Sequence, residues 1–182
     1  MKKKIMLPLT KEKVKDLKSG DQVLLSGIIY TGRDAAHKRL VEAVNNNEVP
    51  FDLKDAVIYY VGPAPASPGA VIGSCGPTTS YRMDDLTVPL LEKGLSGMIG
   101  KGQRNQTVID AMVKYGAVYF AAIGGAGALI ASSIKSVEII AYDDLGTEAV
   151  RKLEVEDFPC VVVIDAEGNN MYDIERKKYE RS

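Results

Sequence analysis

The chain is 182 residues long with 46% hydrophobic and 26% charged residues, the balance of a globular protein large enough to bury a substantial core. Its 23 Lys and Arg against 24 Asp and Glu leave a net charge of −1, so the long-range attraction to phosphate needed by a general nucleic-acid binder or at an anionic membrane is missing. Two cysteines, Cys75 and Cys160, with the single His37, are too few for a disulfide scaffold or a self-contained metal centre, and no metal ligand is assigned to this chain.

The basic start Met1-Lys-Lys-Lys4 is followed by a polar stretch over 10–16 instead of an apolar run, so no secretory leader is expected and the expected location is cytoplasmic. Residues 21–30, rich in β-branched and aliphatic side chains after Gly20-Asp21, read as a strand. Thr31-Gly-Arg-Asp34 has the form of a capping box with Asp in place of Glu, and 35–44 reads as the helix it would start. A strand running straight into a helix N-terminus is a favourable place for an anion. Residues 56–61 form a second strand.

From 62 to 80 the chain carries Gly, Pro, Ser and Thr in place of charge. Pro63, Pro65, Pro68 and Pro77 exclude a continuous membrane helix, leaving a loop with a short strand near 70–72. Helical character returns over 82–93 with Gly94 as its stop, a short strand from 97 runs into a glycine turn at 102, and a helix over 105–115 closes at Gly116. A strand over 117–123 follows, then Gly124-Gly125 and a small-residue helix over 126–133. Residues 136–142 read as a strand, 146–152 as a short helix, 159–165 as a buried strand, 166–169 as a turn, and 170–172 as a last strand. This alternation without linker or repeat predicts one α/β domain over 1–182.

Glycine-rich turns between strand and helix recur at Thr31-Gly32, 73–82, Gly100-Lys-Gly102 and Gly124-Gly125. None matches the dinucleotide fingerprint or the phosphate-binding loop. Single basic residues sit on three of them: Arg33, Arg82 and Lys101. Arginine offers a rigid fork of donors for a carboxylate and lysine a mobile point charge, so the three suit a small dianion if they converge and are ordinary solvated cations if they do not. Pro77-Thr-Thr-Ser80 sets Thr78, Thr79 and Ser80 beside Arg82. A hydroxyl is a poor base unless nearby cations lower its pKa, so the spacing leaves proton transfer and capping of helix 82–93 both open. His37 follows Arg33 by one turn on the same helix face, a place where a histidine more often serves structure or surface than catalysis.

Residues 20–39, containing Ser26-Gly-Ile-Ile-Tyr-Thr-Gly-Arg-Asp-Ala-Ala-His37, and residues 73–84, Gly73-Ser-Cys-Gly-Pro-Thr-Thr-Ser-Tyr-Arg-Met-Asp84, resemble the β subunit, or fused C-terminal half, of the iron–sulfur (class I) fumarate hydratases and L-tartrate dehydratases. The likeness continues through Met98-Ile-Gly-Lys-Gly102, Ala122-Ile-Gly-Gly125 and 155–165, in order and over nearly the whole chain. The resemblance implies a hydro-lyase that reversibly hydrates fumarate to L-malate, or one that converts L-tartrate to oxaloacetate. It also implies a [4Fe-4S] cluster acting as a Lewis acid and held by three cysteines of a partner α subunit, in keeping with the cysteine poverty here.

By the same likeness Arg33, Arg82 and Lys101 bind the dicarboxylate and stabilise the charge that develops as a proton leaves, with Lys101 also catalytic, and Thr78 matches the proposed catalytic base. Thr79 and Ser80 join the substrate site, and Asp34, Asp84 and His37 support it, His37 by orienting Arg33 or the α subunit. Tyr81 stands where many relatives have glycine, which alters the turn before Arg82. The implied fold is a three-layer swivelling β/β/α domain, and the implied assembly an obligate complex of two α and two β chains in which 62–80 faces the cluster-bearing subunit. A non-catalytic assembly or binding protein on the same fold is the alternative from another class.

Overall fold

The computed structural model describes residues 1–122 and 127–180. Strand β1 (Lys3–Met6) and helix α1 (Lys11–Asp16) lead into β2 (Gln22–Thr31), followed by α2 (Asp34–Asn45), β3 (Val57–Tyr59), a 3-10 turn at Ser80–Met83 and α3 (Asp84–Glu92). Then come β4 (Gly97–Gly100), α4 (Gln106–Tyr115), β5 (Val118–Ala122), α5 (Gly127–Ser133), β6 (Ile134–Ala141), a 3-10 segment at Asp143–Glu148, β7 (Val150–Ile164) and α6 (Met171–Tyr179).

The seven strands form one mixed sheet in the order β1-β2-β3-β4-β5-β7-β6, in which β1 to β5 run parallel and β7 is antiparallel to its neighbours. Strand β7 also pairs with β2, from Gln22 opposite Val161 to Tyr30 opposite Lys152, so that β2, β3, β4, β5 and β7 close a ring. The side-chain period of two then divides β3, β4 and β5 between two cores. Val57, Tyr59, Ile99, Val118 and Phe120 face residues of β2 and β7 such as Leu25, Ile29, Phe158 and Val162. Ile58, Tyr60, Met98 and Tyr119 face the helices, with Leu40 of α2, Leu90 and Leu91 of α3 and Val108 and Met112 of α4. Both faces of these strands are buried, which is why their sequences read as continuous apolar runs.

Several predicted elements differ from those found. The segment 70–72 forms no strand, because three prolines within 63–68 and Gly69 in a left-handed conformation (φ +81°) set its path as turns. The helix predicted over 146–152 is interrupted by Gly146 (φ +62°, ψ −118°), and β7 already begins at Val150. Strand 159–165 is only the far half of β7, whose 15 residues cross a kink at Asp157 (φ +54°) beside a register shift opposite Gly27 (φ +128°). The last strand predicted over 170–172 is instead the start of α6: Asn170 bridges to Ile164, and its side chain accepts from Tyr172 N at 3.1 Å as an N-cap.

Strand β1 and helix α1 carry no amphipathic signal, since β1 is a mostly exposed edge and α1 buries only Val14. Residues Ile123 to Ala126, with the predicted Gly124-Gly125 turn, lie outside the described residues. No helix among the described residues is long and apolar enough to cross a membrane.

Candidate active site

Parallel strands end together. The cross-strand row Thr31, Tyr59, Ile99, Phe120 is followed by Gly32, Tyr60, Gly100 and Ala121, and then by Arg33 and Lys101. Neighbouring strands lie about 5 Å apart, so a register shared by β2, β3 and β4 brings the Arg33 and Lys101 backbones to one edge although 68 positions separate them in sequence. Carboxyl ends of parallel strands are where α/β sheets place ligands, because loops diverge there and the strands' own pairing is complete.

The 77–80 segment returns to this edge and is held there by backbone. Thr78 N donates to Tyr60 O at 2.7 Å, Lys101 N to Thr78 O at 3.3 Å and Ser80 N to Lys101 O at 2.9 Å, forming a parallel bridge between Thr79 and Lys101. Two motifs that the sequence shows as separate are therefore neighbours in space. Both glycines flanking Lys101 have physical reasons: a Cβ on Gly100 would lie 2.0 Å from Ser80 Oγ and 2.8 Å from Tyr60 Cδ2, and Gly102 turns the chain at φ +84°. Arg82, in the 3-10 turn, and Lys101 are exposed, and among the described residues neither side chain is held in an ion pair. Thr78 and Thr79 are half-buried beside them, whereas Ser80 is fully buried with Oγ 2.8 Å from Tyr119 Oη.

Arg33 is the N-cap residue of α2 and makes no side-chain cap, so the predicted capping box does not form. Thr31 turns the other way, donating to Ala149 O (3.3 Å) and accepting from Arg151 N (3.0 Å), while Glu148 Oε1 accepts from Ala35 N at 3.3 Å. An acidic side chain from the 3-10 segment thus meets the positive end of α2. The Arg33 side chain passes over Gly62, where a Cβ would come within 3.1 Å of its Cδ and 3.2 Å of Nη1. His37 is fully buried, its Nδ1 2.8 Å from Arg33 O and its ring edge-on to Tyr60 at 5.3 Å. Burial lowers its pKa to about 4, the effect being partly countered by the hydrogen bond to Arg33 O. Among the described residues, the buried side-chain polar atoms without a protein partner are Arg33 Nε, Asp34 Oδ1 and His37 Nε2, all at the start of α2. Buried polar atoms are normally paired, so their grouping beside the strand ends marks this corner as unusual.

Asp84 does not face the open edge. Its Oδ1 accepts from Arg104 Nε at 2.6 Å and its Oδ2 from Asn105 N at 2.9 Å. Arg104 is the residue that sequence reasoning missed: its wholly buried side chain also donates to Tyr60 Oη (3.1 Å) and Thr87 Oγ1 (3.0 Å) and lies over the Tyr60 and Tyr119 rings at 5.2 and 5.1 Å. Burial works against its charge, but Tyr60 and Asp84 outweigh that and raise its pKa. A cation just before the N-cap Asn105, at the positive end of α4, was the available signal. The thiols are poor ligands as placed: burial pushes Cys75 up to about 11 and Cys160 well above its ordinary value. Among the described residues no three His, Cys, Asp or Glu side chains are grouped to hold a metal ion.

A family model described as Fumarase C-terminus matches residues 1–174. The chain is 42% identical over 181 residues to "Putative L(+)-tartrate dehydratase subunit beta" of Methanocaldococcus jannaschii, covering 95% of this chain and 93% of that protein. It is 46% identical over 151 residues to "Fumarate hydratase class I, aerobic" of Escherichia coli, covering 81% of this chain and 28% of that one. It is 44% identical over 156 residues to "Fumarate hydratase 2" of Leishmania major, covering 84% of this chain and again 28% of the relative. The chain thus spans nearly the full length of the separate-subunit relative and just over a quarter of these two fumarate hydratases. With a family model covering all but the last eight residues, and with the motifs at the strand ends gathered by backbone pairing, the chain belongs to the Fumarase C-terminus family.

Proposed function

We propose that this chain is the β subunit of an iron–sulfur hydro-lyase that reversibly hydrates fumarate to L-malate. Arg33, Arg82 and Lys101 bind the two carboxylates, Thr79 completes the substrate site with the buried Ser80 holding its segment from behind, and Thr78 exchanges the proton on the carbon next to a carboxylate. As that proton leaves, charge moves onto the carboxylate, and cations fixed beforehand at the strand ends stabilise it. The same cations make the Thr78 hydroxyl more acidic, which allows it to serve as a base once water is excluded. His37 and Asp34 support Arg33, and Asp84 acts through Arg104.

The observation that carries this reading is the bridge between Thr79 and Lys101, which sets the proposed base beside a cation at the edge that Arg33 also reaches. Two buried cysteines, not grouped with a third ligand among the described residues, do not fit a three-thiolate [4Fe-4S] site, so the cluster is assigned to the cysteines of a partner α subunit. That subunit closes over the strand ends and the uncharged 62–80 segment, where Val71 stands exposed beside Ala128 and Ala131 of α5. The working assembly is two α and two β chains in the cytoplasm, with this chain as a swivelling three-layer β/β/α domain.

The L-tartrate reaction is the second reading, favoured by the nearly full-length match to a separate β subunit of that name. Replacing Arg82 by Ala tests both against a non-catalytic assembly protein. Loss of turnover by about 100-fold or more with the complex intact is expected; wild-type turnover in Arg82→Ala would remove Arg82 from the site and favour the assembly protein.

A further inference from the structure

We propose that Tyr119 is a positioning residue, whose hydroxyl locks the Thr78–Ser80 segment in register with Lys101–Gly102. The inference rests on the reading of Thr78 and Lys101 given above. Tyr119 is the second residue of β5 with its ring fully buried, yet its Oη reaches two neighbouring segments at once. It donates to Gly102 O at 2.7 Å and lies 2.8 Å from Ser80 Oγ. A phenol has one proton, so with Gly102 O taking it, Ser80 must donate to Tyr119. One oxygen therefore joins the segment bearing the proposed base to the turn bearing the proposed cation.

The surroundings hold this oxygen in place. The Arg104 guanidinium lies over the Tyr119 ring and is itself fixed to Asp84 and Thr87, while Ser80 Oγ occupies the space that a side chain at Gly100 would need. Burial raises the phenol's pKa, so it stays protonated and keeps donating to Gly102. Two backbone bonds join the segments directly, Ser80 N to Lys101 O at 2.9 Å and Lys101 N to Thr78 O at 3.3 Å, and the phenol adds a side-chain tie to them. Without the phenol the Ser80 hydroxyl and the Gly102 carbonyl would both need new partners in a closed space.

Tyr119→Phe in the full chain keeps the ring and removes only this link. Two readouts are taken: amide hydrogen exchange of the chain, and turnover by the assembled enzyme. The expected result is exchange faster by about tenfold at Ser80 and Lys101 with β4 and β5 protected as in wild type, and kcat lower by about 10- to 100-fold with little change in KM. Ser80→Ala serves as the second variant. It leaves Tyr119 bound to Gly102, so the 78–80 amides and the Lys101 amide that donates to Thr78 O should loosen, and combining it with Tyr119→Phe should add little to the loss of kcat. Wild-type exchange at Ser80 and Lys101 in Tyr119→Phe, or faster exchange there with kcat unchanged, overturns the proposal. If Tyr119→Phe does not fold, wild-type exchange at 78–80 in Ser80→Ala overturns it equally. Wild-type enzyme without turnover would count against the functional reading instead, since the exchange result is independent of it.

Discussion

At the start of α2 the imidazole of His37 meets a carbonyl on one side and, among the described residues, no protein partner on the other. Because Arg33 O can only accept, Nδ1 carries the proton and Nε2 the lone pair. The folded chain keeps this ring neutral down to about pH 4, whereas the unfolded chain takes up a proton near 6.5. Between those values the unfolded state binds more protons, so stability is fully present above pH 6.5 and is lost as the pH falls, by about 2 kcal/mol at pH 5 and about 3 kcal/mol below pH 4. Urea unfolding of wild type and His37→Gln at pH 7 and pH 5 checks this: the drop attributable to His37 should vanish in the variant, and an equal drop in both would contradict it. At Gly100 the constraint is steric. Gly100→Ala drives a methyl into Ser80 Oγ, and a loss of about 1–3 kcal/mol in stability together with reduced turnover is expected. Unchanged thermal midpoint and turnover would mean that Ser80 moves aside without consequence. The basic residues on glycine turns were legible in the sequence because each breaks an apolar or glycine-rich run. Tyr119 and Arg104 were not, since a tyrosine inside an apolar strand reads as core and the partners of Arg104 lie as far as 44 positions away.

Elements with a strong local period were legible: β2, α2, α3, α4 and β5 lie within a residue or two of their predicted ends, and Gly116 closes α4 in the left-handed conformation expected of a C-cap. What failed were features decided at long range. The cap of α2 comes from Glu148, 113 positions away from Ala35, and no local pattern announces it. The full length of β7 is set by pairing with β2, β5 and β6 in turn, which a propensity window cannot register. Helices α3 and α4 are joined through the Asp84–Arg104 pair, whose side chains are 6% and 0% exposed. Asp84→Ala strands the guanidinium and frees the Asn105 amide, so a loss of about 3–5 kcal/mol is expected in chemical unfolding. A loss below about 1 kcal/mol would be the size of an exposed pair and would contradict a structural role for Asp84.

Over the whole molecule, the closed ring of β2, β3, β4, β5 and β7 fixes one end of the parallel strands as a platform, and among the described residues Arg82 and Lys101 stand exposed on it. Proton transfer by a threonine and tight capture of a dicarboxylate both require that water be excluded, and among the described residues Arg82 and Lys101 are exposed to it. Exposed Val71, Tyr81 and Leu129 are apolar surface that a second subunit would cover. The central claim is therefore that this chain contributes half of a shared active site. The most direct measurement is anaerobic hydration of fumarate by the chain assembled with a cluster-bearing α subunit, with each chain alone as control. Turnover in the assembly and in neither chain alone is the expected result. An assembled complex with a loaded cluster that turns over neither fumarate nor L-tartrate, or full activity from either chain alone, would contradict it.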